Sequence, residues 1–260
     1  MCKKYSVKKF VYHICTFTHY ALLQQIISTL KWCVPRCRSW ATPNYNLNIH
    51  KLKLSDIGKR SLLAILIVLA VIIIDQIIKF DIKTTFLLHE DFHMVGDWFH
   101  ITFTENRGMA FGMHFFGTMF LALFRVIAIG FFCIILGKLI KQKAPYGLIT
   151  CAAMIIAGAS GNIIDNMFYG LIFTESTPYE VAQLVPFGQG YGSFLSGKVV
   201  DMFYFPLFEW PDWMPLVGGN TFFGAIFNFA DASISCGAVA LALFYYKYLT
   251  KLELFKSKEK

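Results

Sequence analysis

A chain of 260 residues that is 56% apolar and 17% aromatic but only 15% charged, with 27 phenylalanines, falls outside the composition of soluble globular proteins. Its net charge of +8 does not mark a nucleic-acid binder, because the basic residues form no patch interleaved with aromatics on a soluble segment. Seven cysteines define no disulfide framework, and Cys33 and Cys37 are too loosely spaced with His13 or His19 to suggest a metal site.

Residues 1–60 hold eleven Lys or Arg and one acid, Asp56. The apolar stretch Phe10–Val34 is broken by His13, His19, Gln24, Gln25 and Lys31, so it reads neither as a span nor as a signal peptide. We expect a basic cytoplasmic extension, either lying on the membrane surface or missing from the mature protein, and dispensable for function. A four-span domain is expected over 61–248, and a basic cytoplasmic tail over 249–260.

The first span is expected near 61–80, where an uninterrupted apolar run leads into Asp75-Gln-Ile-Ile-Lys79. Asp75 and Lys79 sit four apart in the acid-first order that favours a helix ion pair, which competes with a direct role in chemistry. In the loop 81–114, Trp98–Thr104 has the near-alternation of a half-buried strand, and a turn follows at Asn106-Arg-Gly108. A second span is expected near 115–137, with Arg125 facing other helices or the lipid interface. The third, near 146–168, carries Ala153, Ala157 and Gly161 at a spacing of four, a face that lets helix backbones approach closely in lipid. Asn162 and Asp165 lie at its far end.

The loop 169–221 is rich in Gly, Pro and aromatics, and 197–205 reads as a strand holding Asp201; Trp210 and Trp213 read as interfacial anchors. The fourth span, expected near 222–246, contains Asn228 and Asp231, which would share one face of a continuous helix. An aspartate at the centre of a span costs roughly 2.5–3.5 kcal/mol and marks a functional site by default.

Cations sort by segment: four in 51–60, three in 138–143 and five in 247–260, against only Lys83, Arg107 and Lys198 in the two long loops. By the positive-inside rule both termini are cytoplasmic, and Asp75, Asp165 and Asp231 share the outer half of the membrane beneath loops carrying Asn106 and Asp201. Four carboxylates and three asparagines at one depth point to carboxylate acid–base catalysis, with Asp75, Asp165, Asp201 and Asp231 as equal candidates. No thiol or serine triad, phosphate-binding loop or metal-binding histidine cluster is recognisable. A small proton- or ion-coupled transporter is the second reading, since buried carboxylates also mark ion pathways, but polar residues along the whole depth and a repeat are missing.

Asp75-Gln-Ile-Ile-Lys79, Asn106-Arg-Gly-Met-Ala-Phe111, Gly161-Asn-Ile-Ile-Asp165, Val199-Val-Asp-Met202 and Phe227-Asn-Phe-Ala-Asp231, in this order, resemble the motif set of the lipoprotein signal peptidases, or signal peptidase II. The resemblance covers about residues 60 to 248. It implies a mainly α membrane protein with four transmembrane helices and a small extracytoplasmic β-rich cradle, situated in the bacterial inner membrane. The implied activity is that of an aspartic endopeptidase, which removes signal peptides from diacylglyceryl-modified prolipoproteins just before the lipidated cysteine. Motif matching puts the catalytic pair on Asp201 and Asp231 and substrate contacts on Asn106, Gly108, Asn162, Asp165 and Asn228. Asp75, Lys79, Arg107 and Asn166 then support the site. Neither metal nor cofactor is implied, and the partners are the prolipoprotein substrate and membrane lipids, without nucleic acid, for a monomer. Asn166 stands where the family has an arginine, with Arg107 as the candidate to take that role. The longer interval between Asp165 and Asp201, about 171–196, with Gly188, Gly190, Gly192 and Gly197, is expected to form a flexible flap over the site.

Overall fold

Ser55 opens the first helix by accepting a hydrogen bond from Gly58 N (3.1 Å), so α1 runs Asp56–Thr85. The computed structural model describes residues 55–106, 118–215 and 217–251, all within the unit Lys53–Lys260. Residues 1–54 of the expected N-terminal extension lie outside the described residues, as do Arg107 and Gly108, whereas 55–60 form the start of α1 rather than part of an extension.

After α1 come β1 (Asp91–Val95), β2 (Phe99–Asn106), α2 (Thr118–Lys141) and α3 (Tyr146–Ile164). α3 continues through a π-helical turn, Asp165–Tyr169, into a last turn, Gly170–Ile172. Then follow β3 (Val199–Tyr204), β4 (Phe208–Glu209), β5 (Thr221–Phe222) and α4 (Phe229–Lys251). Among the described residues, four helices are long and apolar enough to cross a membrane, since about 20 apolar residues at 1.5 Å each span the roughly 30 Å hydrocarbon layer.

α3 is the central helix and packs against α1, α2 and α4. Its small residues permit this. A Cβ on Gly158 would lie 2.2 Å from Ala230 O, and one on Gly161 would lie 2.6 Å from Asp75 Oδ2. Leu69, Ile73, Phe124, Ile127, Ile134 and Leu243, on the outer three helices, remain exposed as surface for lipid. Gly158→Val should therefore push α4 off α3, lowering stability by roughly 1–3 kcal/mol or more, read as a fall in the melting temperature of the solubilised protein. An unchanged melting temperature would mean that the helices do not meet here.

β1, β2 and β3 form an antiparallel sheet in that order, with Thr104 opposite Asp201 and Asn106 opposite Val199. Phe203 on β3 also pairs with Phe227, exchanging bonds of 2.7 and 3.0 Å, and this bridge brings β3 alongside the start of α4. Phe99, Phe203, Phe205, Phe223 and Phe227 stack over the junction, with centroids 4.7 Å apart for Phe99–Phe205 and 5.7 Å for Phe205–Phe227.

Two expectations require correction. The fourth helix begins at Phe229 rather than near 222, so Asp231 lies in its first turn instead of deep within it. Asn228 and Asp231 form a capping box: Asn228 Oδ1 accepts from Asp231 N (2.9 Å), and Asp231 Oδ2 accepts from Asn228 N (3.4 Å). The segment 171–196 is pinned to the end of α3 rather than free. Val185 N, Gly188 N and Gly192 N donate to Ile172 O, Leu171 O and Gly170 O at 2.8, 3.0 and 2.8 Å. Its glycines serve close approach, since a Cβ on Gly190 would lie 2.2 Å from Gly170 O and one on Gly197 2.1 Å from Asp165 O.

Candidate active site

α1, α3, β3 and the start of α4 converge on a layer of buried polar side chains. Lys79 Nζ sits at its base, 2.9 Å from Asp75 Oδ2 and 2.8 Å from Asp165 Oδ2, with all three side chains fully buried. Asp75 Oδ1 also accepts from Ala230 N (2.9 Å), so a carboxylate from α1 satisfies one of the orphan amides at the positive end of α4. The ion pair expected from the i,i+4 spacing is present within α1, while Lys79–Asp165 and Asp75–Ala230 N tie α1 to the end of α3 and to α4.

Asp165, expected among the substrate contacts, has zero exposure. Its oxygens are taken by Lys79, by Gln76 Nε2 (2.8 Å) and by Val200 N (3.4 Å). It braces β3 from below, and the π-helical turn that begins at Asp165 marks an altered backbone of the kind common at functional sites.

Above this base the asparagines link the remaining acids. Asn162 Oδ1 accepts from Lys79 Nζ (2.8 Å), while Asn162 Nδ2 donates to Asp231 Oδ1 (2.7 Å). Asn228 Nδ2 donates to Asp201 Oδ1 (2.6 Å) and to Asn162 Oδ1 (3.1 Å). Asn228 thus touches both acids, one through its amide and the other through its cap. Asn106, at the end of β2, is also hydrogen-bonded to Asp201. Asp201 is only 3% exposed, whereas Asp231 is half-buried and remains accessible.

Burial and then the neighbouring charge of Asp231 push the Asp201 carboxyl up from 3.8 to about 7, against hydrogen bonds from Asn228 and Asn106 and the charge of Lys79. Between those values the folded protein holds a proton that the unfolded chain releases, so this group's contribution to stability falls as pH rises through the window. Asp201→Asn removes the dependence. Relative to wild type, the variant should melt at a higher temperature at pH 8 than at pH 5, and equal differences at both pH values would contradict the raised pKa.

The arginine expected after Asp165 is replaced by Asn166, which is 1% exposed. Arg125 from α2 donates to Asn166 Oδ1 (2.6 Å), and Asn166 Nδ2 donates to Gly197 O (2.7 Å). The guanidinium is close enough to act electrostatically on Asp231, Asp165 and Asp201. A cation on α2 therefore faces the site, where sequence reasoning assigned Arg125 only to packing or the interface. Sequence reasoning also missed Glu105: it is buried against Lys83, Ser176 and Lys198, tying the end of α1, β2 and the loop before β3 into one network beside Asn106.

Four helices long and apolar enough to span, with carboxylates and amides buried together at one end, describe a multi-pass membrane protein. The family model described as signal peptidase (SPase) II matches residues 67–247. A lipoprotein signal peptidase of Porphyromonas gingivalis is 45% identical over 204 residues, which is 76% of this chain and 89% of that protein. One from Amoebophilus asiaticus is 30% identical over 186 residues, 68% of this chain and 75% of that protein. A solved bacterial membrane enzyme aligns with a TM-score of 0.49 at 24% identity, covering 76% of this chain and 93% of that one; so partial a likeness adds no argument. The chain belongs to the signal peptidase II family. The transporter reading finds no support.

Proposed function

We propose that the chain is an intramembrane aspartic endopeptidase that removes signal peptides from diacylglyceryl-modified prolipoproteins, cutting just before the lipidated cysteine. The observation that carries this reading is Asn228 joined at once to Asp201 and to Asp231, which holds the two carboxylates about one asparagine. Such a pair cannot ionise twice without cost, so it shares one proton. One member takes a proton from the attacking water while the other donates to the carbonyl oxygen of the scissile peptide. The gem-diol intermediate then collapses: one carboxyl group protonates the leaving amine as the C–N bond breaks, while the other carboxylate takes a proton back from a hydroxyl of the intermediate, which leaves the pair with its single shared proton.

Asn162, Asn228 and Asn106 hold the carboxylates and offer amides to the substrate backbone. Asp75, Lys79 and Asp165 keep that layer rigid. The peptidase unit is 61–248, situated in the bacterial inner membrane with both termini in the cytoplasm and the pair near the outer face. The gaps between apolar helices accept the acyl chains of the modified cysteine, and a single chain suffices.

Arg125 orients Asn166 and the substrate on the α2 side. Arg125→Met should lower kcat/KM about ten- to hundredfold, the cost of a lost charge-assisted hydrogen bond, with lysine restoring part of it. Full activity of a folded Arg125→Met protein would remove Arg125 from the account.

Purified protein in lipid, given a diacylglyceryl-modified prolipoprotein, should release a product whose mass begins at the modified cysteine, and the unmodified precursor should stay intact. Equal cleavage of both forms would refute the lipid requirement.

A further inference from the structure

His93 and His100 are seven residues apart, a spacing that matches no metal motif. The β1–β2 register sets them directly opposite each other, and their rings stack at 3.8 Å between centroids. Asp91, two residues before His93, turns its Oδ2 to both rings, 3.3 Å from His93 Nε2 and 3.0 Å from His100 Nδ1. One ligand atom from each of the three residues lies within 4.8 Å of the other two.

The surroundings fix these groups from outside. Thr102 Oγ1 donates to Asp91 Oδ1, leaving Oδ2 to face the imidazoles. Asp97 Oδ1 lies 3.3 Å from His93 Nδ1, where a carboxylate selects the tautomer with a free lone pair on Nε2. His100 is 7% exposed, and neither of its ring nitrogens makes a hydrogen bond within the protein. A buried imidazole with both nitrogens unsatisfied is costly and calls for a partner. The contact of 3.0 Å between His100 Nδ1 and Asp91 Oδ2 lacks hydrogen-bond geometry, yet it is close to the ligand-to-ligand spacing around an ion with bonds of about 2.0–2.1 Å.

We propose that Asp91, His93 and His100 bind a divalent transition-metal cation, with zinc the best match, and that this ion clips β1 onto β2. Two imidazoles, one carboxylate and a water complete a four-coordinate shell that suits zinc, whereas calcium and magnesium favour oxygen ligands throughout. Asp91 in the shell and Asp97 behind it offset the two positive charges. Asp91 and His93 are partly exposed, which gives the ion a route in from solvent. The site is six residues along β2 from Asn106, about 20 Å at strand rise, so the ion takes no part in proton transfer at the carboxylate pair.

The test uses the full chain in detergent, with its thiols alkylated so that no cysteine can bind metal, stripped with a chelator and titrated calorimetrically with zinc chloride. One equivalent should bind with a micromolar or tighter Kd, and the melting temperature should rise with it. His93→Gln and Asp91→Asn, both at exposed positions, should each weaken binding by at least about tenfold and abolish the rise. Cobalt(II) should give the visible spectrum of a tetrahedral nitrogen–oxygen site in wild type only. Absence of saturable binding, or equal binding by the variants, would overturn the proposal and leave the cluster as a metal-free histidine–carboxylate contact.

Discussion

Lys79→Met is expected to yield little or no folded protein, with a loss of roughly 3–5 kcal/mol, because it leaves Asp75 and Asp165 fully buried and facing each other without a counter-charge. Methionine fills much of the space, so the loss measures charge rather than a cavity. Asp75→Asn should be far milder: its carbonyl can still accept from Ala230 N, and Lys79 keeps Asp165. That variant should lose about 1–3 kcal/mol and retain cleavage in proportion to the folded fraction. Melting curves of the two variants in the same detergent check the order. A Lys79→Met protein as stable as wild type would mean that these carboxylates are neutral in the fold.

Asp201→Asn and Asp231→Asn should each reduce cleavage by about a thousandfold or more while leaving the fold intact. An amide keeps the shape and can still accept the bonds from Asn228 Nδ2 or Asn162 Nδ2, so packing survives. What disappears is the shared proton. The two losses should not add in the double variant, since either one breaks the unit. Because Asp231 also belongs to the α4 capping box, its asparagine variant should lose a few tenths of a kcal/mol, well short of unfolding.

Much of this arrangement was legible in the chain. Apolar runs located the four helices, the near-alternation of Trp98–Thr104 located β2, and 197–205 read as the strand that is β3. The start of α4 was not, because residues 222–227 are as apolar as the helix that follows. The Asn228-x-x-Asp231 pattern was the signal that could have placed the cap. Arg125 lies on a helix that is apolar all round, so periodicity could not say which way it faces; only the packing of α2 beside Asn166 does. Gly190 and Gly197 suggested flexibility in the sequence, where the fold uses them for close backbone contact. The pairing of His93 with His100 depends on a sheet register interrupted by an irregularity between His93 and Val95, which alternation does not specify.

The most direct test of the central claim is single-turnover cleavage of a diacylglyceryl-modified prolipoprotein by purified wild type, Asp201→Asn and Asp231→Asn proteins, each first shown to melt cooperatively. A product beginning at the modified cysteine from wild type alone is the predicted result. Cleavage near the wild-type rate by either folded variant would show that the carboxylate pair joined through Asn228 does not perform the reaction.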